Sequence, residues 1–174
     1  MTFGETLIRW SVRLSVLLML AAWLSLLHRP RSKRTDSIAR CCWAAGFLVF
    51  LVHLWAAFAY VHRWSHSAAV QDTARQTRDV VGLDWCGGVW FNYLFALLWG
   101  ADVLWWCFDP ASRERRPRWM GGFLHGFLGF VAFNGTVVFA TGFSRWLGLA
   151  GCGLVMLRVW KKNLPRNTDA DQPV

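Results

Sequence analysis

"CCWAAGFLVFLVHLWAAFAYV" (Cys41–Val61) runs for 21 residues without an aspartate, glutamate, lysine or arginine, and the stretch that follows, "HRWSHSAAVQDTARQ" (His62–Gln76), turns abruptly polar. An α-helix rises about 1.5 Å per residue, so the first stretch matches the ~30 Å of hydrocarbon in a bilayer. The whole chain is built in this way. Of its 174 residues 55% are hydrophobic and 17% charged, against about a quarter charged in ordinary soluble domains. Its 13 tryptophans suit a protein with two membrane–water interfaces, where an apolar ring with one N–H donor is at home. These features predict an all-α fold: a polytopic transmembrane helical bundle forming a single domain over residues 1–162, with a polar tail over 163–174.

Five segments have the composition of spans: Ile8–Leu27, Cys41–Val61, Val89–Phe108, Met120–Thr141 and Trp146–Trp160. The last two come from one apolar region too long for a single helix, divided at "GFSR" (Gly142–Arg145), and the final piece is short. All five prolines lie outside these segments, as expected where an internal proline removes a helical hydrogen bond. The first span resembles a signal sequence in outline. It lacks a small-x-small cleavage site before His28, and the heavier basic cluster follows it, so a retained anchor is expected.

The net charge of +9 does not point to nucleic acid, because the basic residues gather in short segments between apolar runs. Thirteen of the 19 basic residues fall in His28–Arg40, Asp109–Trp119 and the C-terminal region. The positive-inside rule puts these on the cytoplasmic side, with the N-terminus outside and the C-terminus inside. Dense arginine and tryptophan usage suggests a bacterial genome rich in GC, and hence an inner-membrane location. The five cysteines form no CxxC and are expected to be small buried hydrophobes.

The polar insert Ser65–Gly82 reads as a helix on the outer side. Val70, Ala74, Thr77 and Val81 form its thin apolar stripe, Asp72, Arg75 and Asp79 are spaced for ion pairs, and Gly82 supplies a stop. If the second span continued unbroken into it, His62 and His66 would share one face four residues apart. Two such histidines can bind one divalent metal, and Asp84 and Cys86 at the re-entry are the nearest further ligands, with Asp72 pointing elsewhere. A metal or haem redox site is one functional expectation from this group. A bis-histidine haem is harder to build, since His53 and His125 differ in depth by about 10 Å.

Ionisable groups inside spans carry a functional expectation by default. Asp102 and His125 fall at equal depth on consecutive antiparallel helices. Asn92, Phe95, Trp99, Asp102 and Trp106 make one stripe, and Gly122, His125, Gly129, Ala132 and Thr136 make the facing one. The two side chains are expected to meet, either as a structural hydrogen bond or as a proton-coupled transport pair. Asn134 faces the other way and is expected to find a partner on the fifth helix or on another protein, with Gly122 and Gly129 as close-packing positions. No P-loop, GxSxG or dinucleotide fingerprint occurs. The leading functional expectation is therefore a non-enzymatic accessory or scaffold subunit, or a small oligomeric membrane component, whose partners are the lipid bilayer and other membrane subunits or copies of itself.

Overall fold

The computed structural model describes residues 2–28, 30, 32–140 and 142–163. Its regular structure is helical throughout the described residues. In chain order the helices are α1 (Phe3–Leu27), α2 (Lys33–Ala56), α3 (His66–Val81), α4 (Gly88–Phe108), α5 (Pro110–Arg115), α6 (Arg118–Phe133) and α7 (Phe143–Asn163). α2 and α6 each run on into a π-helical turn, Ala57–Val61 and Asn134–Val138. Four helices, with those extensions, are long and apolar enough to cross a membrane: Phe3–Leu27, Lys33–Val61, Gly88–Phe108 and Arg118–Val138. α7 is as long as α4, but with Arg145 and Arg158 along it, it is not among the four.

Local signals explain the boundaries. α1 opens on a capping box in which Thr2 and Glu5 satisfy each other's backbone N–H, and Ser32 and Thr35 do the same for α2. Ser65 caps α3 through the Ala68 N–H, and α3 stops at Gly82, whose φ of 76° is open to glycine at no steric cost. Two expectations are corrected here, and a third is made more exact. The second helix begins at Lys33, so Lys33, Arg34 and Arg40 lie on a helix and not in a loop; Arg29 and Arg31 lie outside the described residues. The Asp109–Trp119 segment contains α5. The long apolar region is two helices, as its division at Gly142–Arg145 anticipates, and the break precedes Phe143, at a turn where Gly142 takes a φ of 61°. Of the polar tail expected over 163–174, Asn163 ends α7 and residues 164–174 lie outside the described residues.

α1 and α2 form an antiparallel pair held at several heights. A Cβ on Gly4 would lie 2.6 Å from the Tyr60 ring, so only glycine admits that ring. Ser15 donates to the Gly46 carbonyl at 2.9 Å, and His53 Nδ1 lies 3.0 Å from the Ile8 carbonyl. α4 runs antiparallel to α2 along a ladder of rings, with Trp43 5.2 Å from Trp99 and Phe50 4.9 Å from Phe95. The core formed by Met19, Ala22, Ala39, Trp43, Phe95, Trp99, Trp106 and Leu128 joins α1, α2, α4 and α6. α7 lies along α1 in the same direction: Ser144 meets Arg13, and Gly151 packs against Leu20. Leu48, Trp55, Leu97, Phe123 and Met156 face outward. That is a costly surface in water and an ordinary one in lipid.

Two further expectations change. The buried side of α3 is Ala69 and Thr77, with Val81 52% exposed, because α3 packs through Thr73 onto Gly88 of α4. Cys41, Cys86 and Cys107 are exposed and only Cys42 and Cys152 half-buried, all five as free thiols. Their apolar segments hold few inward positions, and larger aromatic side chains fill those.

Between α2 and α3 the chain breaks sharply. After the π turn, Arg63 and Trp64 adopt φ of 49° and 60°, a region that costs a residue with a Cβ about 1–2 kcal/mol. Arg63 is exposed. Arg63→Gly is expected to stabilise the protein by about 0.5–1 kcal/mol after glycine's own entropy is counted. Thermal unfolding in detergent should show Tm rising by a few degrees; an unchanged or lower Tm would mean that no strain is held at this turn.

Candidate functional site

"DPASRERRP" (Asp109–Pro117) looks like a solvated basic loop, yet it folds back on the bundle. Asp109 accepts from the Ser112 N–H and Pro110 occupies the first helical position, which together start α5. Three residues apart, Arg113 and Arg116 then lie on one side of this short helix and its end. That side faces Asp102 on α4.

The Asp102 side chain is 2% accessible. Its Oδ1 accepts from Arg113 Nε at 3.0 Å and from Arg116 Nη1 at 2.5 Å. Its Oδ2 accepts from Arg113 Nη2 at 2.8 Å and from Trp43 Nε1 at 2.9 Å. A carboxylate offers about four lone-pair sites, and these bonds fill them. The Arg113 guanidinium also lies 3.8 Å from the centre of the Trp106 ring, a cation–π contact in a desolvated place. Leaving a carboxylate buried without such partners costs several kcal/mol, so the pairing decides whether α4 can sit where it does.

The network continues through Arg116. Its Nη2 lies 3.2 Å from His125 Nε2, and on the other side of the ring His125 Nδ1 lies 3.2 Å from Trp23 Nε1. The imidazole is also edge-on to Trp23 and Trp43. One polar network thereby ties α1, α2, α4, α5 and α6 together. Beside it opens a cavity of about 440 Å³, lined by Arg113, Arg116, Arg118 and His125 together with Asp36 and Glu114.

Asp102 and His125, expected to meet, are brought to the same depth but bond through Arg116, which stands between them. Arg113, Arg116, Trp23 and Trp43 were not singled out from the sequence. The arginines counted there as topology signals, and the tryptophans as interface residues. The readable sign was the Asp-Pro helix start with arginines three apart.

Of the flanking stripes, Phe95, Trp99, Asp102 and Trp106 are buried, but Asn92 is exposed. A Cβ on Gly129 would lie 3.6 Å from Trp23, while Gly122 has nothing within 4 Å. Asn134 finds its partner on its own helix, donating to the Phe130 carbonyl at 2.8 Å, since a short amide reaches its own preceding turn.

His62, His66, Asp84 and Cys86 are not brought together as a ligand set. The break at Arg63–Trp64 means that His62 and His66 do not lie on one continuous helix. His62 Nδ1 lies 3.1 Å from Asp72, which the same break swings back towards it and not away as expected. His66 Nδ1 lies 2.9 Å from the Tyr93 hydroxyl and stacks on that ring. Asp84 lies 3.4 Å from Arg78, and Cys86 is exposed. Among the described residues no three His, Cys, Asp or Glu side chains converge in a way that would hold a metal ion.

Comparison of the chain with models of known protein families, with curated proteins and with solved structures finds no match.

Removing one partner from a buried ion cluster strands the others. Asp102→Ala, which leaves two guanidiniums facing each other, is expected to destabilise by about 3–5 kcal/mol and to lower Tm in detergent by about 10 °C. Trp43→Phe removes one bond to the carboxylate and should cost less, about 1–3 kcal/mol. Thermal unfolding of both variants checks the order; equal and small losses would show that the cluster does not hold the bundle.

Proposed function

We propose that this chain is a non-enzymatic integral membrane component, acting as an accessory or scaffold subunit or assembling into a small oligomer. The observation that carries this reading is the saturated carboxylate of Asp102. A proton-coupled carrier needs a carboxylate that can take up and release a proton along a continuous polar route. Here each lone pair is already committed to an arginine or tryptophan. Those donors come from different elements, Trp43 from α2 and Arg113 from α5 with Arg116 at its end, which suits a clamp that fixes helix packing. The outward face of α6 adds support: Gly122 and Gly126 meet no neighbour within 4 Å of a Cβ position, leaving room for another helix to approach closely.

The topology in this proposal has five crossings, with α7 passing beside α1. α3 lies on the outer side, the N-terminus is outside and the C-terminus is in the cytoplasm of a bacterial inner membrane. Thirteen of the 19 basic residues on the inner side support this orientation, and the shared direction of α1 and α7 supports the odd number of crossings.

Two measurements test the proposal. The full chain, released in mild detergent, is expected to migrate as a multiple of its 19.9 kDa or with a copurifying membrane protein. A lone monodisperse monomer would overturn it. Asp102→Asn is expected to lower Tm; loss of proton-driven flux at an unchanged Tm would favour the carrier instead. For the orientation, reporters fused after Gly82 and after Asn163 should report opposite sides of the membrane.

A further inference from the structure

His125 is placed between two groups that can only donate. Trp23 Nε1 and Arg116 Nη2 each lie 3.2 Å from one of its ring nitrogens, and neither an indole N–H nor a guanidinium accepts a hydrogen bond. A neutral imidazole carries one N–H. If Nδ1 accepts from Trp23, the proton sits on Nε2 and points at the Arg116 N–H. The other tautomer moves the conflict to Trp23, and an imidazolium creates it on both sides. Turning the ring over presents carbon to both donors and leaves them unmet. The arrangement is one acceptor short, and the open side of Arg116 and His125 is the 440 Å³ cavity.

The charges point the same way. Arg113 and Arg116 bring two positive charges to Asp102's one negative charge. Among the described residues Arg113 bonds through Nε and Nη2 and not through Nη1, and Arg118, exposed on the cavity wall, has no side-chain hydrogen bond to any of them. α6 begins at the same wall, with Pro117 supplying no side-chain cap to its first N–H groups. Two carboxylates also line the cavity. Asp36 is engaged in an interaction of its own, and Glu114 is exposed at the rim. Water can accept from both His125 and Arg116, but only an anion also answers the surplus charge. The clustered arginines mark this as the end of the bundle where the phosphates of a bilayer would lie.

We infer that this cavity binds a phosphate-type oxyanion, with Arg116, Arg113 Nη1 and His125 Nε2 as its donors and Arg118 at its mouth. One phosphate oxygen placed beside Arg116 and His125 accepts from both, which fixes the His125 proton on Nε2 and leaves Nδ1 free to accept from Trp23. The phosphate is supplied either free or as a phospholipid headgroup, and the chemistry of recognition is the same for both.

The test uses the full chain, delipidated in a phosphate-free detergent and labelled with ¹⁵N-histidine. With five histidines in the sequence, the ring signals are few enough to assign by His125→Phe. Inorganic phosphate is titrated in one arm and dihexanoyl phosphatidylethanolamine in the other. Saturable movement of the His125 signals to a pattern with the proton on Nε2 is expected in at least one arm. Movement with inorganic phosphate identifies a free anion as sufficient; movement with the short lipid alone identifies the headgroup. Arg118→Gln, which disturbs no bond in the cluster, is expected to weaken binding by about threefold to tenfold. His125 signals that stay fixed in both arms would overturn the inference. So would binding that Arg118→Gln leaves unchanged, because the ligand would then sit elsewhere.

Discussion

A charged carboxylate inside a bundle of apolar helices is tolerable only when nothing of it is left for water to do. Asp102 meets that condition with Trp43, Arg113 and Arg116, and the rest of the structure is arranged around it. Trp43 must stand inward from α2, which places it against Trp99 and opens the aromatic ladder between α2 and α4. The arginines must return from beyond the end of α4, which requires α5 to exist and to be short. Arg116 then reaches His125, and His125 reaches Trp23 on α1. Each helix of the core is thereby positioned relative to one buried charge. Apolar contacts alone specify orientation poorly when lipid is as greasy as the protein interior.

The two ends of the bundle are built differently. At the Asp102 end, charges lock the helices. At the other end, α2 and α6 both finish in π-helical turns, and the chain then bends sharply. Arg145 donates to the Val137 and Ala140 carbonyls at 3.0 and 3.1 Å, satisfying groups that the end of α6 leaves open. His62 with Asp72 and His66 with Tyr93 do comparable work where α3 begins. These histidines act as local fasteners of a turn, a role as consistent with their spacing as metal binding would be.

Much of the helical plan was legible in the sequence, because it rests on hydrophobic length and charge placement. The apolar runs, the polar α3 segment and its stop at Gly82 all announce themselves through composition. The depth of Asp102 and His125 followed from counting along antiparallel helices. The site itself was less legible. Arginine serves equally as a topology marker facing water and as a partner for a buried acid, and sequence spacing does not separate the two roles when the partner lies on another element. Tryptophan has the same double use: Trp23 and Trp43 have the sequence setting of interface residues, yet both point their N–H groups inward. The break after Val61 was also hidden, since no glycine or proline marks it and the left-handed residues there are Arg63 and Trp64.

Arg113 and Arg116 follow Asp102 closely in the chain, by 11 and 14 residues, whereas Trp43 precedes it by 59. As the polypeptide emerges during biosynthesis, the acid and its two cations leave the ribosome almost together. An aspartate deep in a nascent helix opposes its partition into lipid by about 2.5–3.5 kcal/mol. Neutralisation by neighbours only three to four helical turns away lets α4 and α6 enter as a hairpin with that opposition largely removed. Moving these arginines to a distant loop, even with the finished structure preserved, would leave α4 to cross the translocation step with its charge bare.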